Sequence, residues 1–469
     1  MALTINQKPL YTLNPVGQEL MFTIEDTAVV GTYYNVKYVA EVHIAETDID
    51  LATSTAIGTF KTTPNNAGVG MFDFRPISES YVSPDNQGAL GSEYKGDAAT
   101  ATTTHPLALI DKFSLNDNSV RYIKIKFSVE GATTATAIVL ELDTEDSVQY
   151  TLINGYLKHT DVQDRDSSGN FGYNTQNFYF NKVLIPSDIP AKYLTNAPLT
   201  QYANDTDYGT VSFISTDNGA GNKLDKFTIT YYQSNGTTIG TADEIDNTDA
   251  NGGFTTFTTA TKDQILHLGC YPANLRNWST EFQGLLAAGT VTRYTVFGSN
   301  AAGNQITDLL YINLLCPNLK GFEPVRLKWL NQWGAWDYYT FKMKSTQSIS
   351  TKGSTYQQLG GTWNESIYSP SGYKGGKKAF RVNATEKVVM NTEFVNQSEA
   401  TWFEELVNSP EVYILDGFQT DTAIPLLSTY VTPVRLLTSN FTKKTVANDK
   451  LIQYTFEVEK SKTLRTQSV

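Results

Sequence analysis

Hydrophobic and polar residues alternate with a period of two over much of this chain, the spacing of a strand with one covered face and one wet face. In YNVKYVAEVHIAE, Val36, Tyr38, Ala40, Val42 and Ile44 share one side. Lys37, Glu41 and His43 share the other, which places His43 at the surface. RYIKIKFSVE (121–130) repeats the pattern, with Ile123, Ile125, Phe127 and Val129 opposite Tyr122, Lys124, Lys126 and Ser128. Turn residues separate such runs. PNNAG (64–68) is one case, and Asn235-Gly236, just after Phe227, Ile229 and Tyr231, is a strong hairpin signal. The same grammar returns over 292–315, and the polar stretches at 88–104 and 245–253 read as loops.

Helical spacing is rare. Leu275, Trp278, Phe282 and Leu285 recur at threes and fours, which predicts one amphipathic helix over 273–287. SEATWFEELVNSPE (398–411) predicts another, with Ser398 as N-cap, Trp402, Phe403, Leu406 and Val407 as the apolar face, and Pro410 as the stop. A strand, EVYIL (411–415), follows, and KLIQYTFEVE (450–459) turns Ile452, Tyr454, Phe456 and Val458 inward. These patterns predict a mainly β protein in three parts. Residues 1–150 read as a β-sandwich of immunoglobulin-like type, 151–320 as a second β-sandwich with a short helix, and 321–469 as an α+β assembly domain.

Composition narrows the function. Only 18% of the 469 residues are charged, with 27 Tyr and 23 Phe, which suits pleated sheet. A net charge of −12 argues against a sequence-independent phosphate binder, so no nucleic-acid partner is expected. No apolar run approaches the ~20 residues of a membrane-spanning helix, and no membrane insertion is expected. The opening MALTINQKPLYTLNP lacks the basic and apolar regions of a signal peptide, which predicts synthesis and folding in a cytoplasm. Cys270 and Cys316 then read as buried thiols, with a disulfide as the less favoured alternative.

Motifs that announce catalysis are missing. His43, His105, His159 and His267 lie far apart, and there is no CxxC, HExxH or nucleophile elbow. SGYKGGKK (371–378) departs from a phosphate loop twice, at Ser371 and at Lys378. DRDSSGNFGYNT offers Asp164, Asp166 and Ser168 in the opening spacing of a calcium loop, but Thr175 stands where the bidentate Glu belongs. A polar turn at a hairpin tip is the competing reading. No catalytic residue and no cofactor are expected.

The densest feature is LKWLNQWGAWDYYTF (327–341), which holds three of the six tryptophans. Gly334 predicts a turn or bulge between two strands. Trp329 and Trp333 share one parity, and Trp336 and Tyr338 the other. Rings on both faces predict a buried seam rather than a sugar-stacking platform. The Trp336/Tyr338 side is expected to meet helix residues 402–407, leaving Trp329/Trp333 for a neighbouring subunit.

Several stretches together resemble uncharacterised virion proteins of tailed bacteriophages, closest in pattern to those of marine and Bacteroidota-infecting phages. They are IGTFKTTPNNAGVGMFDFRPISESYV (57–82), YTVFGSNAAGNQI (294–306), PVRLKWLNQWGAWDYYTF (324–341), WFEELVNSPEVYIL (402–415) and NDKLIQYTFEVE (448–459). The resemblance implies a structural protein of the tail, baseplate or neck, located in the virion after assembly in the host cytoplasm. Its implied partners are itself, as a ring or other homo-oligomer, and other tail, baseplate or neck proteins. A receptor- or glycan-binding tail component using exposed aromatics is the second reading, and a polysaccharide-degrading enzyme the third.

Overall fold

The computed structural model describes residues 2–83, 95–96, 112–116, 118–158, 161, 163–175, 178, 190–215, 224–246, 263–300, 302–315, 321–363, 365–416, 431–443, 452–462 and 464–465. The protein is mainly β, with several sheets and few helices. Two compact units divide it. One comprises Met1–Pro317, Leu330–Asp337 and Phe418–Thr422; the other comprises Asn318–Trp329, Tyr338–Gly417 and Ala423–Val469. The loop expected at 88–104, most of that at 245–253, His105, His159 and Cys316 fall outside the described residues.

In the first unit, Thr4–Gln7, Met21–Glu25 and Val69–Asp73 form a three-stranded antiparallel sheet. A six-stranded sheet runs in the order Leu13–Pro15, Tyr150–Ile153, Val120–Ala132, Tyr34–Ala45, Gly58–Thr62, with Leu140–Asp146 also on Val120–Ala132. The alternation of the long strands is what lets these sheets share a core. Phe22 of the smaller sheet meets Phe127 and Tyr150 of the larger at 5.5 and 5.6 Å between ring centres. Burying such rings is worth roughly 1.5–3 kcal/mol each.

A second core lies between the sheet Thr200–Ala203, Leu310–Leu314, Arg293–Ser299, Lys226–Tyr232, Thr238–Asp246 and the sheet Val211–Ser215, Gln264–Leu268, Phe113–Asn116, Lys95–Gly96. Phe213 meets Phe227 across it at 5.2 Å. Phe113–Asn116 thus pairs with a strand far along the chain, and residues on both sides of position 150 share one unit. The Asn235-Gly236 turn forms as expected, with Gly236 at φ 87° and Tyr232 opposite Thr238.

Three local expectations need correction. The helix over 273–287 is two helices, Pro272–Trp278 and Thr280–Ala287, because Ser279 is extended and caps the second, its Oγ accepting from the Phe282 N–H at 2.9 Å. His43 is buried, since Asp48–Thr53 folds over its side of the strand and its Nδ1 lies 2.9 Å from the Ser54 carbonyl. Tyr122, assigned to a wet face, is buried too, and its hydroxyl accepts from the Asp263 N–H at 2.9 Å.

The second unit is built on one eight-stranded sheet in the order Trp336–Phe341, Val325–Leu330, Val412–Leu415, Val431–Leu436, Thr455–Lys460, Gly376–Asn391, Thr346–Gln358, with Leu464–Arg465 also on Gly376–Asn391. Helix Ala400–Asn408 supplies Trp402, Phe403 and Leu406 as buried residues, while Val407 is only half-buried. Its entry corrects the Ser398 cap. A 3₁₀ turn, Gln397–Glu399, precedes it, and Asn396 and Glu399 form a capping box in which the Glu399 carboxylate accepts from the Asn396 N–H at 2.7 Å. Ile452, Tyr454, Phe456 and Val458 are all buried, as their alternation predicts.

Candidate assembly site

The hairpin of Val325–Leu330 and Trp336–Phe341 carries the aromatic cluster. Its turn is set by Asn331, whose Oδ1 accepts from the Trp333 and Ala335 N–H groups at 3.0 and 3.1 Å. Gly334 stands at φ 74°, where L side chains are strained, and a Cβ there would lie 1.8 Å from the Asn154 carbonyl oxygen. Only glycine fits. The turn residues belong to the first unit, where Trp333 lies 4.1 Å from Phe178, centre to centre, and Asn331 Nδ2 donates to the Leu194 carbonyl.

The strand residues of the second unit sort cleanly by parity. Trp329, Tyr339 and Phe341 face the helix and the sheet aromatics: Trp329 meets Trp402 at 5.3 Å, Tyr339 meets Phe403 at 5.0 Å, and Phe341 meets Phe456 at 5.8 Å. Arg326, Lys328, Tyr338 and Thr340 take the other face. Arg326 Nη1 donates to Thr340 Oγ1 at 2.7 Å, and the Arg326 guanidinium and Lys328 Nζ lie 5.2 and 5.0 Å from the Tyr338 ring centre. Burial pushes the Lys328 ammonium well below its ordinary range, and the Arg326 charge adds to the shift.

The expected face assignment is therefore reversed. Trp329, not Tyr338, meets the helix: the five-residue turn keeps the two parities on opposite faces, and the helix packs on the face of Trp329, Tyr339 and Phe341. Trp333 is buried inside the chain rather than presented to a neighbour, and Trp336 is buried as well. The structure thus gathers Trp329, Trp402, Phe403 and Leu406 in one packed region and places Trp333, Trp336 and Tyr338 elsewhere.

The aspartate loop is a hairpin tip. Gln163–Arg165 pairs with Phe171–Tyr173, and Asp166 Oδ1 accepts from the Ser168 and Asn170 N–H groups, both at 2.9 Å. Hydrogen bonds from Asn170 hold the exposed Asp166 carboxyl below its ordinary range. Asp164 accepts from the Tyr11 hydroxyl. The Asp166 carboxylate thus caps the turn, and that of Asp164 ties the hairpin to Tyr11. Among the described residues no three His, Cys, Asp or Glu side chains group to hold a metal ion.

One pairing has no signal in the sequence. Ser212 Oγ lies 2.7 Å from His267 Nδ1, because register sets Ser212 opposite His267 on adjacent strands. Both residues are buried. Cys270 is a buried free thiol whose pKa burial pushes up to about 12, which makes it unreactive at neutral pH.

Among the described residues, the largest exposed apolar display lies in another hairpin. Thr346–Gln358 and Gly376–Asn391 pair along most of their length, and Thr346–Gln358 has almost no covered side chain. Between and beside them, Trp363 is 65% exposed, Ile367 77% and Tyr373 75%, with Ile349, Leu359, Tyr368 and Phe380 also exposed. At about 3.3 Å per residue the 13-residue strand reaches roughly 40 Å. The polar Ser/Thr/Gln pattern of Thr346–Gln358 offers no apolar face that would mark the arm in the sequence.

No protein-family model matches the chain, and no curated protein is similar to it in sequence. No described helix is long and apolar enough to cross a membrane.

Proposed function

We propose that this chain is a structural component of a tailed-phage virion, in the tail, baseplate or neck, that assembles with copies of itself and with neighbouring structural proteins. The observation that supports this reading is the arm of 346–391. A two-stranded ribbon is at best marginally stable in water without a cover, and long open strand edges are sites for pairing with another chain. The chain offers such a ribbon with exposed Trp, Tyr, Ile and Phe residues and leaves it uncovered among the described residues. The finer fold reading belongs to the same proposal: facing sheets of immunoglobulin-like type in the first unit, and an α+β assembly domain in the second. The proposal assigns no catalytic reaction. Its test is negative-stain imaging and sedimentation of the purified full chain. Rings or regular particles are expected, and a chain that stays monomeric at every concentration overturns the proposal.

A second reading draws on the exposed ring pair Trp363 and Tyr368, 6.1 Å apart and inclined at 69°. Exposed rings stack on sugars, so a receptor- or glycan-binding role at the arm tip is its content. A glycan array on the parent chain and on Trp363→Ala separates the two. Binding that the substitution abolishes, with assembly unchanged, favours the second.

A further inference from the structure

Residues 359–375 join the two strands of the arm beyond their last pair, Gln358 opposite Gly376. Hydrogen bonds inside this loop give it a defined form. Thr362 Oγ1 donates to the Ile367 carbonyl at 2.9 Å and accepts from the Ser369 N–H at 2.8 Å. Gly361 stands at φ 67° with the Tyr368 ring against it, where any Cβ would collide with that ring. So folded, the loop turns large apolar side chains outward. Trp363, Ile367 and Tyr373 stand mostly in solvent, and Leu359 and Tyr368 are each more than half exposed. Lysines stand directly behind them. Lys374 Nζ lies 5.7 Å from the Tyr373 ring centre, Lys378 Nζ donates to the Tyr373 carbonyl at 2.8 Å, and Lys377 is exposed. Against these three cations the stretch 359–378 holds one carboxylate, Glu365, so it is net +2 in a chain of net −12.

Three chemistries compete to cover such a surface. A sugar stacks on rings, but Leu359 and Ile367 offer none, and the Trp363 and Tyr368 rings, inclined at 69°, share no flat face. A protein interface gathers its apolar anchors away from charge, since charged residues are depleted at interface cores. Here the lysines accompany the rings. A lipid surface takes both kinds of residue: Trp and Tyr favour the headgroup level, Leu and Ile the acyl boundary, and Lys the phosphates, with its stem laid along apolar surface.

We propose that the loop 359–375 is a peripheral docking site for an anionic phospholipid bilayer. Trp363, Ile367 and Tyr373 enter the headgroup boundary, and Lys374 and Lys377 meet the lipid phosphates. The contact lies on the membrane surface and asks for no spanning helix. Charge complementarity supports an anionic surface. Glu386, the next acid along the strand from Lys377, is nine residues away, ~30 Å, and is already paired with Lys460 at 2.8 Å. That distance exceeds the Debye length of ~8 Å at physiological salt, so the lysines at the tip act apart from the acids of the sheet. Assembly through the strands of the arm is a separate property, and either can fail without the other.

The test is flotation of the full chain with vesicles of equal parts phosphatidylcholine and phosphatidylserine. The parent should float with them, far less with phosphatidylcholine alone, and less as salt is raised. W363S/I367S and K374Q/K377Q should each lower the partition by about tenfold or more. Lys352→Gln, on the same arm but away from the loop, should leave it near the parent's. All of these side chains are exposed, so melting temperatures should stay near the parent's. Brominated lipid should quench part of the parent's tryptophan emission and much less of that of Trp363→Phe. A parent that stays unbound to the mixed vesicles overturns the proposal, as does binding that neither pair of substitutions weakens. An equal loss in Lys352→Gln would make any cation of the arm sufficient and overturn the loop as the site. Glycan binding or self-association that W363S/I367S abolishes, with vesicle binding unchanged, gives the loop to a sugar or to a second copy instead.

Discussion

Two hairpins follow each other in the second half of the chain, and both carry aromatic residues, yet they end in opposite environments. In 325–341, Trp329 is fully buried against Trp402, and the turn is buried down to Trp333. In 346–391, Trp363 and Tyr373 stand mostly in solvent. Ring content does not separate them. What separates them is cover: the first has a capped helix and the Phe456 strand packed on one face, while among the described residues the second has no element on either face along most of Thr346–Gln358. An aromatic residue in a strand marks surface that requires burial, and the covering element decides whether the chain or a partner provides it.

That comparison breaks most directly at Trp329. Trp329→Ala should lose about 3–5 kcal/mol of stability, measured by denaturant unfolding. Trp329→Phe should recover much of this, since the indole Nε1 it removes finds no acceptor among the described residues. A loss under about 1 kcal/mol for the alanine variant would show that the helix is not the cover it is taken for. The next largest effect belongs to the turn. Gly334→Ala meets both the left-handed backbone and the Asn154 carbonyl, and should cost roughly 2–3 kcal/mol with a lower melting temperature. An unchanged melting temperature would mean that the turn relaxes freely.

Lys328 sharpens the contrast through pH. Burial lowers its folded pKa well below the ordinary 10.5, so between the two values the unfolded chain binds a proton that the folded chain lacks. Stability should therefore rise with pH across that window, and Lys328→Met should flatten the rise. The readout is melting temperature against pH from 7 to about 10, and identical slopes for parent and variant would contradict a depressed pKa. The smallest effect is expected in the arm. Trp363→Ala should change stability by less than about 0.5 kcal/mol, because the ring covers little. A larger loss would mean that the arm tip is packed in solution and that the two hairpins are alike after all.

Much of the fold was legible in the sequence wherever one face of an element is covered and the other is wet. Val36 to Ile44, Ile123 to Val129, Phe227 to Tyr231 and Ile452 to Val458 follow their alternation into the core, and the Asn235-Gly236 and Gly334 turns form where glycine requires them. Cover from distant residues was not legible. His43 and Tyr122 sit on faces that read as wet, and only the packing of Asp48–Thr53 and the approach of Asp263 bury them. Ser212 and His267 meet through register, which depends on how two strands align and not on their spacing in sequence.

The same limit governs the candidate site. Sequence alone determined that the chain is mainly β, that it is acidic, and that 327–341 needs burial, because alternation, charge and ring content are local properties. Tertiary structure decided that helix Ala400–Asn408 covers the face of Trp329 and Tyr339 rather than that of Trp336 and Tyr338. It also decided that the strand Thr346–Gln358 has almost no covered side chain among the described residues. Cover comes from residues distant in the chain, and no local pattern of residues encodes where they pack.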